Sequence, residues 1–491
     1  MSPKFKFQMY RNLQMNTANI YADARKAADE LGIPKELRGK FGLTGAISGC
    51  PAPLRHDIME ASEKGAAEVV PLAKLVDELR ELVKEVYGDE YDAAPTSTCE
   101  AGLWVTFDSI FTPPLLGRGD NYRSRYIAPY EKHLHHQGSY GRPFPPRYKD
   151  ILADRGTTAG ELGFYGKRQN NMDTVIVPLA GARYDVHGIK YHPVPMLTGV
   201  DPEESVEIIG QHADIHAAFL SGFTSLGYET PGYGYSVKDE EGTPLLQKYL
   251  ADLAHSYDLP YVIDNAWGLP FVGCNPNKTG ADVIIYSMDK ATGAATSGLI
   301  IGKEEYMVPI RRAMGMHGDR YGTTTSYGKA AYVTFDPGKE ALLTQIQALK
   351  ILKDKPEVLT KPVDDLEKIV QEEFAKINLP AHLKEGILIS KSYNSTAVEV
   401  NYEKTWTNGE LGIPIFSIED MYAGTNLFQT GCAQMGVIPT VAYDGNIYIS
   451  PGLGTCDEKG QLVDSSMRYA VKALVRLIEI VCGYAGIAEK R

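Results

Sequence analysis

The chain has 491 residues, is 43% hydrophobic and 23% charged, and carries a formal net charge of −12. This length exceeds what one hydrophobic core comfortably serves, so two domains are expected, and the acidic balance argues against a nucleic-acid surface, which needs clustered Lys and Arg. No run reaches the apolar length of a membrane span, the start Met1-Ser2-Pro3-Lys4 lacks a signal core, and six cysteines without a Cys-x-x-Cys pair read as reduced thiols rather than a disulfide frame or metal site, so a cytoplasmic, membrane-free protein is expected.

Residues 1–60 read as a mixed N-terminal segment containing a Gly/Pro-rich passage from Leu43 to Pro53. Between Ala61 and Tyr87, apolar residues at Leu72, Leu75, Val76, Leu79, Leu82, Val83 and Val86 follow the spacing of one amphipathic helix. The cluster Ser97-Thr98-Cys99-Glu100 then opens a second helix, whose free N–H groups and dipole suit an anion, although such caps are common. The stretch Arg118–Arg147 gathers His133, His135 and His136 among arginines and tyrosines. It reads either as a substrate pocket or as a solvated strand and loop; a zinc site is disfavoured because adjacent histidines diverge. Strand-like runs follow at Thr174–Leu179, Lys190–Leu197 and Ala217–Phe223, where Ser221 and Thr224 come near the strand end, and then a polar helix at Pro244–Tyr257. Two apolar runs, Tyr261–Ile263 and Val283–Tyr286, look like buried parallel strands. Strands alternating with helices imply right-handed crossovers and an α/β fold with a mostly parallel sheet. Beyond a Gly- and Met-rich loop, Arg311–Ser326, a helix near Pro337 opens a smaller α+β region, which ends in a helix with Met467, Ala470, Val471, Leu474, Leu477, Ile478 and Val481 on one side.

Asp264 closes the first of the two buried runs, and Ser287-Met288-Asp289-Lys290 follows the second, with the Gly-rich return Ser297-Gly-Leu-Ile-Ile-Gly302 behind it. A strand-end Asp or a lone Ser-x-x-Lys carries little weight; together, in this order and on strand ends, they resemble the pyridoxal-phosphate (PLP) enzymes of fold type I, the aspartate aminotransferase superfamily. The resemblance implies a large PLP-binding domain over 61–336, with a seven-stranded-type sheet flanked by helices, and a small C-terminal domain over 337–491. It also implies pyridoxal 5'-phosphate as cofactor. Lys290 would form the Schiff base and shuttle protons, and Asp264 would keep the pyridine nitrogen protonated so that carbanion charge drains into the ring. Ser287 would bond the phosphate, Ala266 would pack its methyl on the ring, and Ser97, Thr98 and Cys99 would form the first phosphate-binding turn. His136, Trp104 and Trp267 are the candidates to stack on the ring. The resemblance further implies a homodimer or higher homo-oligomer, in which the N-terminal segment either crosses near the site or is a surface tether.

Asp289 before the lysine and the Gly-Leu-Ile-Ile-Gly strand look nearest to selenocysteine synthase and to lyases of cysteine and methionine metabolism. One departure matters. Aminotransferase-like relatives hold the substrate carboxylate with an arginine in a late strand, where this chain reads Asn446-Ile-Tyr448-Ile-Ser450. Either another group anchors the carboxylate, from Arg118–Arg125 or Arg311–Arg320, or the substrate is not a plain α-amino acid. The favoured activity is a lyase that eliminates or replaces a β- or γ-substituent of an amino acid, ahead of aminotransfer, decarboxylation, and a catalytically inactive binding protein.

Overall fold

The computed structural model describes residues 2–47, 50–51, 53–111, 125–129, 142–143, 173–187, 192–196, 199–227, 236–314, 333–394, 396–407, 409–414, 427–440, 442–443 and 445–490. An eight-stranded sheet is built from β1 (Tyr91–Thr96), β2 (Arg125–Pro129), β3 (Arg142–Pro143), β4 (Asp173–Val177), β5 (Leu220–Leu226), β6 (Tyr261–Asp264), β7 (Val283–Ser287) and β8 (Gly298–Lys303). Their spatial order is β1-β8-β7-β6-β5-β2-β4-β3. Every pairing from β3 across to β7 is parallel, and β8 is antiparallel to both of its neighbours. The expected mostly parallel α/β sheet is present, with a two-residue edge strand added. All residues of β1, β5, β6 and β7 are buried, and burial on both faces is why β6 and β7 read as continuous apolar runs rather than alternating ones.

Helices α2 (His56–Ala66), α3 (Leu72–Tyr87), α4 (Cys99–Thr106), α5 (Pro202–His216), α6 (Leu245–Ser256), α7 (Glu304–Ala313) and α8 (Lys339–Asp354) belong with this sheet, while α1 (Lys6–Glu30), α9 (Glu357–Phe374), α10 (Leu427–Gln434) and α11 (Asp464–Ala485) pack with one another elsewhere. A smaller antiparallel sheet joins β9 (Leu388–Lys391), β10 (Val398–Asn401), β11 (Ala442–Tyr443) and β12 (Asn446–Ile449) in the order β9-β10-β12-β11. Two apolar clusters result. The first holds Leu79, Val83, Ile263, Ile285 and Ile300. The second holds Val398, Ile447, Leu474 and Leu477 together with Met9, Leu13, Ile20 and Phe41 from the N-terminal segment.

Four elements differ from the sequence reading. The helix expected over 61–87 is two helices, because Pro71 cannot continue the first and caps the second. The run Lys190–Leu197 supplies only His192–Met196, which pairs antiparallel with Arg183–His187 in a separate two-stranded sheet. The run from Ala217 starts with a single 3₁₀ turn, and the strand proper begins at Leu220. The long helix α1 was not anticipated: its stripe of Met9, Leu13, Ile20 and Ala24 is interrupted by Asn16 and Thr17.

Gly298 shows how closely β8 meets the start of α4. A Cβ there would lie 2.5 Å from the Thr98 carbonyl oxygen and 2.7 Å from the Cys99 nitrogen, both backbone atoms that cannot swing away. Gly298→Ala is expected to destabilise the protein by roughly 3 kcal/mol, read as a shifted denaturant midpoint; an unshifted midpoint would show that α4 can retreat.

Candidate active site

The parallel register sets Asp264 beside Ile285, so Asp264 and Ser287 sit at the carboxyl ends of adjacent strands β6 and β7. That edge is where open α/β sheets bind ligands. Asp264 is buried at 5% exposure, and its Oδ1 accepts the Ala266 N–H at 3.2 Å. Burial pushes its carboxyl up to about 6, opposed by the positive charge of Lys290 and by the Ala266 hydrogen bond, and reinforced by Glu100. The two residues singled out by the sequence are thus electrostatic neighbours.

Lys290 is half-buried, with Nζ 5.7 Å from the centroid of the Trp267 ring. Trp267 is itself buried and meets Tyr448 edge-on at 5.0 Å. The turn carrying Lys290 is fixed by its backbone: Met288 N–H donates to Ser297 at 2.9 Å and Ala294 N–H to Met288 at 3.1 Å. Ala266 is buried beside Asp264, and the Ser287 N–H reaches its carbonyl at 3.3 Å. The Ser287 hydroxyl donates to Asp289 Oδ1, so the expected donation from Ser287 to a phosphate meets a competitor inside its own turn.

At α4, Thr98 Oγ1 accepts the Ala101 N–H at 3.0 Å and caps the helix, while the Ser97 N–H is taken by the Phe335 carbonyl at 2.7 Å. Cys99 is buried. Burial, then the nearby Asp264 carboxylate, pushes its thiol up against the opposing pull of Lys290, so it is no thiolate nucleophile. Gly102, one turn on, lets α4 rest on Ile285 and Ile300. Trp104 packs against Phe335 at 5.8 Å.

Ser221 donates to the Arg125 carbonyl at 2.9 Å and is committed to the sheet. Thr224 pairs with Val262 in register, which puts its side chain on the sheet face of Asp264. It is 1% exposed, and its Oγ1 has no hydrogen-bond partner among the described residues. Sequence reasoning missed Asn394, in the turn between β9 and β10. Its Nδ2 donates to the Gly227 carbonyl at 2.7 Å and to Asn265 Oδ1 at 3.0 Å, and its Oδ1 accepts the Cys274 N–H at 3.0 Å. This buried amide ties the residue after Asp264 to the small sheet. Nothing in Lys391-Ser-Tyr-Asn394 distinguishes it from an ordinary turn.

Arg311 and Arg125, two of the expected carboxylate anchors, do not reach this edge. Arg311 pairs with the buried Asp92 and with Glu304. Arg125 opens β2 at the opposite end of the sheet, 3.0 Å from His216 Nδ1 and stacked 4.3 Å over Phe219. Arg118, Arg123, Arg320, His133, His135 and His136, and the loop from Thr230 to Tyr235, lie outside the described residues. Among the described residues no group of three His, Cys, Asp or Glu is placed to hold a metal ion, and no helix is long and apolar enough to cross a membrane. A cavity of about 400 Å³ opens beside Lys290, between the two apolar clusters.

No family profile matches the sequence. Homocysteine/cysteine synthase of Saccharomyces cerevisiae is 27% identical over 147 residues, which is 28% of this chain and 29% of that protein. The chain therefore spans less than a third of the length of the curated relative it matches. Among solved structures, a chain of the SepCysS–SepCysE N-terminal domain complex superposes with a TM-score of 0.52 at 12% identity, covering 91% of this chain and 97% of its own. A multiple substrate aminotransferase from Thermococcus profundus gives a TM-score of 0.49 at 12% identity, over 93% of this chain and 94% of its own. With a parallel sheet that ends in Asp264 and the Lys290 turn, the chain has the fold of the pyridoxal-phosphate-dependent enzymes of fold type I.

Proposed function

We propose that this chain is a PLP-dependent enzyme acting on an amino acid, and that its reaction is the elimination or replacement of a β- or γ-substituent. The observation that carries the proposal is that Asp264, buried at the end of β6, stands within electrostatic reach of Lys290 beyond β7. The residues fit the cofactor. Burial has raised the Asp264 carboxyl to about 6, so a cationic ring nitrogen would supply the partner that keeps it ionised. Thr224 Oγ1, buried on the same face without a partner, offers a further polar contact. When bound, PLP supplies the electron sink for carbanion chemistry.

The chain's own residues do the rest. Asp264 holds a proton on the ring nitrogen through its charge. Lys290 would hold the cofactor through its amine and would be the base placed to carry the substrate's α-proton. Trp267, braced by Tyr448, forms a wall beside that amine. The first turn of α4, at Ser97, Thr98 and Cys99, would hold the phosphate at a helix start, although the Ser97 N–H is already taken by the Phe335 carbonyl. A β- or γ-elimination is favoured over aminotransfer because β12 carries Tyr448 where aminotransferase-like relatives carry arginine, and because the matching yeast protein is named for making sulfur amino acids. The enzyme is read as a cytoplasmic homo-oligomer, which light scattering of the purified protein tests.

The test is a visible absorption spectrum of the purified protein, followed by incubation with a panel of amino acids bearing β- and γ-leaving groups. A bound-cofactor band and release of ammonia with a keto acid from a panel member are expected. A keto acid formed without ammonia would favour aminotransfer. A colourless protein, even after incubation with PLP, would remove the reading.

A further inference from the structure

The cavity beside Lys290 contains an arginine that the fold does not use up. Arg55 precedes α2 and lines the cavity together with Lys290, Thr396 and Ser450. It is 9% exposed. Its Nη2 pairs with Asp57, but Nε and Nη1 are buried without a hydrogen-bond partner among the described residues. A buried guanidinium left short of acceptors costs free energy unless something else fills its donors. Two of the acids nearby are engaged: Asp57 holds Nη2, and Asp457 Oδ1 accepts the Lys459 and Gln461 N–H groups. Glu458 also lines the cavity, and its carbonyl accepts the His56 N–H at 3.1 Å, pinning Arg55's own chain in place.

The segment leading to Arg55 is fastened to the strand that lacks the expected arginine. Gly45 N–H donates to Ser450 Oγ at 3.0 Å, and Ser450 N–H donates to the Leu43 carbonyl at 3.0 Å. A side chain on Gly45 would strike Pro451, so this approach is as close as backbone allows. The departure at Tyr448 and the unfilled donors of Arg55 are thus features of one place. Leu54, Met59, Leu269, Leu359 and Val363 complete the cavity as an apolar wall.

We propose that Arg55 binds the α-carboxylate of the amino-acid substrate, in place of a late-strand arginine, with the substrate side chain against the apolar wall. This rests on the reading of Lys290 as the cofactor lysine. Nη1 donates to the carboxylate while Asp57 holds Nη2, so the arginine arrives pre-oriented and little ordering is left for binding.

Isothermal titration of the full-length protein as purified with L-norleucine and L-norleucinamide tests this, since the pair differs at the carboxylate and has no leaving group. Wild type is expected to bind norleucine more tightly than the amide. Arg55→Met should weaken norleucine by roughly 10- to 100-fold and leave the amide within about 2-fold, because a charge-assisted hydrogen bond has that worth. Arg55→Lys, which keeps the charge but not the planar donors, should fall between them. Equal weakening of both probes, or unchanged norleucine binding in Arg55→Met, would overturn the proposal. So would loss of bound cofactor from both Arg55 variants, which would assign the arginine to the cofactor phosphate. The visible spectrum is read separately: a colourless wild type would remove the cofactor reading, while the calorimeter still reports whether Arg55 discriminates the carboxylate.

Discussion

Lys290→Ala is expected to fold like the wild type and to lose activity by about 10³-fold or more, a loss in the upper range for removal of a proton-transferring group. Folding is spared because the turn is held by backbone bonds from Met288 to Ser297 and from Ala294 to Met288, none of which uses the amine. What disappears is the ammonium over Trp267 and the positive charge that steadies Asp264. The Asp264 carboxyl should therefore move further above its wild-type value of about 6. Steady-state rates, circular dichroism and the visible spectrum check the three parts. A variant with a wild-type rate would exclude Lys290 as the catalytic amine, and one with a collapsed spectrum would make it structural.

Asp264→Asn should have opposite effects on stability and on activity. A carboxyl whose folded pKa is raised from near 4 to about 6 resists ionisation in the fold. Its contribution to stability is fully present below the unfolded value and is lost as pH rises through about 6. In the cofactor-free protein at neutral pH, the ionised Asp264 therefore costs up to roughly 3 kcal/mol, from about two pKa units at 1.4 kcal/mol each. An asparagine keeps an acceptor for the Ala266 N–H without the charge. Cofactor-free Asp264→Asn is expected to be more stable than wild type at pH 7.5 by up to that amount, and indistinguishable from it at pH 4. With cofactor bound, activity should fall by roughly 10²- to 10³-fold, since a neutral amide does not hold the ring nitrogen protonated. Denaturant melts at the two pH values decide the first claim, and a difference that does not depend on pH would refute it.

Much of the sheet was legible because buried parallel strands have a distinctive composition. Tyr261–Asp264 and Val283–Ser287 are apolar on both faces and end in polar residues, so their strand ends, and hence the acid and lysine at them, stand out in one dimension. The anchor for a carboxylate did not. Arg55 follows a Gly/Pro-rich passage with no periodicity, and its place beside Lys290 comes from hydrogen bonds of that passage to Ser450 that no local pattern announces. Two of the arginines that looked suggestive by clustering are engaged elsewhere, Arg311 with the buried Asp92 and Arg125 stacked on Phe219. Asn394 was invisible for the same reason: its partners, Gly227, Asn265 and Cys274, are brought to it only by the meeting of the two sheets. Helix α1 was missed because polar residues divide its stripe, and a helix is recognised by the continuity of that stripe.

That helix also sets an order of assembly. Asn12 Nδ2 donates to the Ala485 carbonyl across a separation of 473 residues, within the cluster where Met9 and Leu13 join Leu474 and Leu477. Closing a loop of that length costs about 5 kcal/mol of chain entropy. At ribosomal speeds of about 5–20 residues per second, α1 emerges roughly half a minute or more before the surface it covers. Among the first parts of this cluster to be made, it is among the last to be buried, and its apolar stripe must stay clear of wrong partners for the whole interval.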